Sequence, residues 1–414
     1  MQSILNAIRN ADRSLLLFVP AFGLATLLLA AMILHLLREV PGSNSYALMA
    51  DAFLHGHLDV QHCFDSDCIS FHDKRYVIFP PVPAVVAMPF IAVFGTNFSG
   101  FASIGFACFL GALWLWWRIF NHLEIERETI VWLLLALAFG SPLFYVSIRA
   151  DRVWTYAQNI NFLLLTLAMH EVIRGGRLVL AGIFMGLAFL SRQMTILLSP
   201  FLFVLALRSD EKLISFNSEH IKRALKLGLP VAVAIGIYLF YNWIRFGAPM
   251  ETGYRFIANP NLGHVSVINE RLLHHGLFSK DYFVFNALYM FVQGFHLQWV
   301  GDAVLTPLTL DPWGTSLLAA SPFVLLVVFM PINRRTVVGG LCAAVILSIT
   351  LFYHGNGFSQ YNVQRFVLDW AVVLFFVLGL TINKSLRPAF AILTVYAIGL
   401  NVVTMVALAI LKQG

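Results

Sequence analysis

Asp51 and His55 stand four residues apart in SNSYALMADAFLHG (43–56), where Tyr46, Met49, Ala50, Phe53 and Leu54 recur at helical spacing. On such a helix the carboxylate and the imidazole share the polar face. A carboxylate held beside an imidazole can act as a general base. The same pair also fits a solvated face of an amphipathic helix. Ser43 or Asn44 is placed to cap this helix and Gly56 to end it.

Arginines supply the complementary chemistry. IRADRVWTY (148–156) sets Arg149, Asp151 and Arg152 beside Trp154 and Tyr156, and FLSRQM places Arg192 between two apolar runs. The planar guanidinium fork suits phosphate, although aromatic residues with arginines also mark an ordinary membrane boundary. A basic group at membrane depth is costly and points to function. Arg365 and Asp369, four apart, have the spacing of a helical ion pair. NWIRFGAPMETGY adds Asn242, Arg245, Glu251 and Tyr254 without decisive chemistry.

The stretch CFDSDC flanks Asp65 and Asp67 with Cys63 and Cys68. In an oxidising compartment the two cysteines favour a disulfide. The competing reading is a metal site using nearby His55, His57, His62 and His72, but the spacing matches no standard zinc finger. No cofactor is demanded; a divalent cation on Asp65 and Asp67 is the one the residues leave open. Cys108 and Cys342 fall in apolar runs and read as small core residues.

The elements that must position these groups are membrane helices. Of 414 residues, 59% are hydrophobic and 12% charged, against roughly 25% charged in soluble proteins, and mean hydropathy is +0.79. Soluble enzymes, nucleic-acid binders and secreted disulfide scaffolds are excluded. A span takes about 20 apolar residues, which predicts eleven, near 14–37, 98–117, 129–147, 157–173, 178–191, 193–207, 227–244, 314–330, 337–353, 366–382 and 388–411. The first run is too long for a cleavable signal's apolar core, and no small-residue cleavage site follows it.

Sidedness follows from the basic residues. With the N-terminus cytoplasmic, every inner piece has at least two: Arg9 and Arg13; Arg118 and Arg127; Arg174 and Arg177; Arg208, Lys212, Lys222, Arg223 and Lys226; Arg334 and Arg335; Lys384 and Arg387. Two long outer loops result, 38–97 and 245–313, within a single integral membrane domain spanning 1–414. Titratable groups concentrate there, including Glu39, Asp51, Asp59, Asp65, Asp67 and Asp73 in the first loop. The run KRYVIFPPVPAVVAMPFIAVFG carries Pro80, Pro81, Pro83 and Pro89, so it reads as an interfacial helix entered through a rigid Pro-Pro turn.

There is no Walker loop, GxSxG elbow or HExxH motif. What the chain does show is an order of features. A first span is followed by an outward loop with an interfacial helix and acidic residues. Then come Tyr76-x-x-x-Pro80-Pro81, a second acidic loop at Asp151, and a Gly-rich span ending in Leu190-Ser191-Arg192. Over about residues 14–210, and more loosely beyond, this resembles the polytopic glycosyltransferases of the GT-C superfamily. It is nearest the bacterial members related to protein O-mannosyltransferases and to lipid A aminoarabinose transferases. One departure stands: the family's Asp soon after the first span is absent from PGSNSY, and Glu39 and Asp51 are the nearest carboxylates.

The resemblance implies an all-α polytopic bundle of about eleven spans with outward interfacial helices, in the bacterial inner membrane with a periplasmic active site. It implies transfer of a sugar, with inversion, from a polyprenyl-phosphate donor to a glycan, lipid or protein acceptor, among membrane lipids and without nucleic acid. Asp51 is then the base, and Asp151 orients an arginine or the acceptor. Arg149, Arg152 and Arg192 bind phosphate, with Arg365 also on the substrate, while Tyr46 and His55 shape the pocket. A phosphate leaving group needs cationic stabilisation rather than a general acid. The alternatives are a transporter or flippase for a lipid-linked sugar, and a polysaccharide polymerase or ligase.

Overall fold

The computed structural model describes residues 16–42, 44–64, 68–208, 211–257, 267–356 and 364–411. Arg9, Arg13, Ser43, Asp65 and Asp67 lie outside the described residues. In chain order the first half holds α1 (Phe18–Leu36), α2 (Tyr46–Leu54), β1 (Cys68–Phe71), β2 (Lys74–Val77), α3 (Val82–Phe94), α4 (Phe101–His122), α5 (Arg127–Phe139), α6 (Pro142–Ile148), α7 (Val153–Gly175), α8 (Leu178–Phe189) and α9 (Ser199–Ala206). The second half holds α10 (Ser218–Phe246), α11 (Val267–His275), α12 (Phe283–Ala287), β3 (Leu297–Val300), β4 (Thr306–Leu310), α13 (Leu317–Ala320), α14 (Arg334–Leu351), α15 (Ala371–Thr381) and α16 (Arg387–Leu411).

The chain is a helical, multi-pass membrane protein. Five helices, α1, α4, α10, α14 and α16, are long and apolar enough to cross a bilayer; α5 and α6, bent by 48° at their junction, make a sixth if taken as one span. Eleven uniform spans are therefore not what the described residues form. The run 178–191 forms only the twelve-residue α8, and 193–207, 314–330 and 366–382 fold as 3-10 turns joined to short helices. Of these runs 366–382 is apolar because protein surrounds it: in α15 every residue except Leu380 is buried, whereas Val179 and Ile183 of α8, and Val328 and Phe329, stay exposed. The 157–173 run does form a long helix, α7, but Thr155, Gln158, Asn159, Asn161 and Thr166 give it a polar interior. Protein supplies partners for most of those groups, while both amide atoms of Asn161 are without a hydrogen-bond partner among the described residues. Asn159 donates to Val146 O at 2.9 Å and accepts from Ser147 Oγ at 2.8 Å.

Two small antiparallel hairpins, β1–β2 and β3–β4, depart from an all-helical reading. The β1–β2 turn is His72-Asp73 with both residues at positive φ (47° and 61°). That backbone usually advertises itself through Asn-Gly or Asp-Gly, which this turn lacks. Cys63 and Cys68 are joined by a disulfide, with a Cα separation of 6.1 Å, just before the hairpin. From β2 the chain runs through Phe79-Pro80 into α3, the helix expected after the Pro-Pro turn, and Val82 N donates to Leu190 O at 3.1 Å.

That bond fixes the proline turn against the end of α8, and α8 is itself fixed by α10. The crossing is close because Gly182 and Gly186 face it. A methyl group at Gly182 would strike Leu227 O, and one at Gly186 would sit 2.8 Å from Ala234 Cβ. Small residues permit this approach between membrane helices. Tyr46, Phe79, Phe101, Tyr156 and Tyr241 pack into one apolar cluster beneath α2, the β1–β2 hairpin and α3.

The basic residues gather at the other end of the bundle. Arg334 donates to the carbonyls of Arg208 and Glu211, Arg223 pairs with Glu211 at 2.5 Å, and Arg387 pairs with Glu126 (3.0 Å) and Glu128 (2.8 Å). Helix α14 starts among these groups at Arg334, and α10 starts beside them at Ser218, so each long helix runs from the basic end to the end that carries α2.

Candidate functional site

A cavity of about 310 Å³ opens at the α2 end. Its walls come from chain segments far apart in sequence: Tyr46 of α2, Phe79-Pro80, Trp154 and Ala157 at the start of α7, 191–194, Thr252 and Tyr254, and Thr350 to Gly355. Arg365, Phe366 and Asp369 complete it. It forms where helices break. Arg192 is extended (φ −151°, ψ 111°) between α8 and the 3-10 turn Gln193–Leu198, and Arg365–Asp369 is a 3-10 turn leading into α15.

The centre of the cavity is an ion pair. Arg192 Nε and Nη2 reach Asp369 Oδ1 and Oδ2 at 2.5 and 2.7 Å. The Asp369 side chain is only 3% exposed and that of Arg192 19%. Burial works against the Arg192 charge, but Asp369 outweighs it and raises the guanidinium above its ordinary value. The i,i+4 pairing expected between Arg365 and Asp369 is not formed; Asp369 faces Arg192 instead. A 3-10 turn repeats every three residues, so residues four apart there do not share a face. The Arg365 guanidinium lies 5.6 Å from the Trp154 ring centroid and 4.7 Å from that of Phe366, while Gln158 Nε2 donates to Arg365 O at 2.8 Å.

Tyr46 is fully buried, and its hydroxyl has no hydrogen-bond partner among the described residues. The start of α2 is held by Asn44, whose Oδ1 accepts from Tyr46 N at 3.0 Å and whose Nδ2 donates to Asp151 O at 3.3 Å. His354, buried on another wall, has Nδ1 without a hydrogen-bond partner among the described residues. Burial, with Arg271 nearby, pushes this imidazole down to about 4, so it is neutral at pH 7.

Tyr46, Arg192 and Arg365 are thus brought together; the remaining expected site residues are not. Asp51, 43% exposed, faces His55 at 3.6 Å, and neither lines the cavity. Asp151 is clamped outside it by His35 (3.3 Å), Arg149 (3.4 Å) and Arg152 (3.3 Å). Burial pushes the Asp151 carboxyl up, but His35 and the two arginines together hold it below the ordinary range. Arg149 and Arg152 therefore serve a carboxylate rather than the cavity. Glu39 accepts from Phe101 N and Ala102 N at 2.9 Å each, capping α4.

Sequence reasoning missed Asp369 as the partner of Arg192, and His354 as a wall. It named Tyr254, which lines the cavity, but gave it no role. Among the described residues no three His, Cys, Asp or Glu side chains come together to hold a metal ion.

No family model and no curated protein matches this sequence. Among solved structures, the chain is similar to a crystal structure of ArnT from Cupriavidus metallidurans bound to undecaprenyl phosphate. The TM-score is 0.48 at 15% identity, covering 94% of this chain and 72% of that one.

Proposed function

We propose that the chain is a membrane glycosyltransferase that moves a sugar from a polyprenyl-phosphate donor to a periplasmic or lipid-linked acceptor, inverting the anomeric centre. The observation that carries this reading is the cavity itself. Arg192 and Arg365 stand together in a largely aromatic and apolar chamber at the ends of membrane helices. The guanidinium groups suit a phosphate, and the surrounding rings suit a sugar face and the first prenyl units. The lining residues lie in the outer loops or at the outer ends of the spans that the charge pattern defines, which supports a periplasmic site in a bacterial inner membrane. A transporter keeps its polar groups near the midplane; here they lie at one end.

The reaction needs little beyond these groups. The acceptor attacks the anomeric carbon, and the phosphate oxygen departs with the bonding electrons. Arg192 and Arg365 stabilise the charge that develops on it.

The test is binding of undecaprenyl phosphate to the purified protein in nanodiscs. Arg192→Ala should weaken it by about 10–100-fold, since a charged hydrogen bond contributes roughly 1.5–3 kcal/mol. Wild-type affinity in a folded Arg192→Ala protein would remove the reading.

A further inference from the structure

We infer that Asp369 is the catalytic base of this transfer and that the donor's phosphate frees it by taking over Arg192. The inference rests on the glycosyltransferase reading above.

Among the described residues, Asp369 is the only Asp or Glu lining the cavity. Three other carboxylates are committed elsewhere: Glu39 to the start of α4, Asp51 to His55 on the outside, Asp151 to three cationic partners. Asp369 is committed too, but to a group that a phosphate also seeks. Both of its oxygens are occupied by Arg192. In that state neither oxygen is free to accept from an incoming acceptor.

A donor phosphate brings a second anion to one guanidinium. Shared, Arg192 holds each anion less firmly, and an Asp369 oxygen is released to accept from the acceptor's O–H or N–H. The arrival of the donor therefore makes the base. In the reaction the acceptor's heteroatom bonds to the anomeric carbon, and its proton passes to Asp369. The bond from that carbon to the phosphate oxygen breaks, and its electron pair stays on the phosphate. Asp369 becomes neutral as the phosphate gains a negative charge. Arg192 then has one strong partner, the leaving phosphate, where before it had the carboxylate. No co-reactant is required, and charge is conserved at the pair throughout.

Undecaprenyl phosphate, the lipid product of such a transfer, is the probe. Two measurements are made on full-length protein in nanodiscs. In Asp369→Asn the competing carboxylate is gone while the shape is kept, so the probe should bind about 10-fold tighter than to wild type. In wild type, infrared difference spectra on adding the probe should show a carboxylate band change, which needs no variant to detect; its absence from folded Asp369→Asn assigns it to this residue. Unchanged or weaker binding by a folded Asp369→Asn protein, or probe binding by wild type with no carboxylate band change, overturns the inference and leaves the donor reading standing. No binding by wild type overturns both.

Discussion

Asp151 Oδ1 lies 3.3 Å from His35 Nε2, so one buried carboxylate ties the last turn of α1 to the junction of α6 and α7. The same carboxylate holds Arg149 and Arg152, which makes the cluster a fastening for the segment that leads to Trp154. Asp151→Asn should lower stability by about 1–3 kcal/mol at pH 7. The folded value of Asp151 is depressed, so its contribution is present above the ordinary carboxylate range, near 4, and is lost as pH falls through the depressed value. Thermal unfolding in detergent should show a wild-type advantage at pH 7 that shrinks below about pH 4. An equal gap at both pH values would show that the charge is not what matters.

Glu39 predicts the opposite sign. Burial raises its carboxyl above the ordinary range, against the two backbone N–H groups of α4 that favour the ionised form. A raised folded value favours folding below the ordinary range, and that stabilisation is lost as pH rises through the raised value. Glu39→Gln keeps one acceptor for the helix start and removes the buried charge. Relative to this variant, wild type should gain stability on acidification from pH 7 to about 4. Glu39→Ala, which caps nothing, should cost about 0.5–2 kcal/mol. Circular-dichroism melts of the three proteins across that range decide the matter.

The crossing of α8 and α10 is what delivers Ser191 and Arg192 to the cavity. Gly182→Val should force the helices apart, costing about 1–3 kcal/mol by overpacking, and should weaken undecaprenyl phosphate binding because Arg192 is displaced. Gly236→Ala, in the same α10 but with nothing within 4 Å of the added methyl, is the control and should leave melting temperature and binding unchanged. Equal behaviour of the two variants would mean that the close approach does not set the site.

Parts of this arrangement were legible in the sequence. Arg192 stood out because a guanidinium between two apolar runs is costly, and α3 was readable from its prolines. Asp51 misled because i,i+4 spacing reveals a shared helix face but not whether that face meets a cavity or water. Asp369 was tied to Arg365 because both lie in one short stretch; its actual partner is 177 residues away, and no local rule reaches that far. Among the described residues fewer of the expected spans are single long helices, for a related reason. An apolar run such as 366–382 has the same composition whether lipid or protein surrounds it, and the short breaks that turn it into a 3-10 turn and α15 leave little trace in residue type. The polar face of α7 was the contrary signal, since Gln158, Asn159 and Asn161 mark a helix with protein on all sides.

The direction of the bundle in the membrane gives the last prediction. Under the orientation proposed above, the end with the basic loops is cytoplasmic, and the cavity and the Cys63–Cys68 bridge lie at the other. A disulfide closing so short a loop can stabilise by about 2 kcal/mol in the chain-entropy picture, but only in an oxidising compartment does it form and persist. Reporter fusions at residue 215, beside Arg223 and Glu211, and at residue 301, in the β3–β4 hairpin, should therefore report opposite sides, with 301 outside. Unreduced protein from intact cells should not react with a thiol reagent at Cys63 or Cys68, and reduction should expose both. A shared side for the two fusions would break this topology, and 301 inside with 215 outside, or free thiols in the unreduced chain, would reverse the orientation and move the proposed site to the cytoplasm.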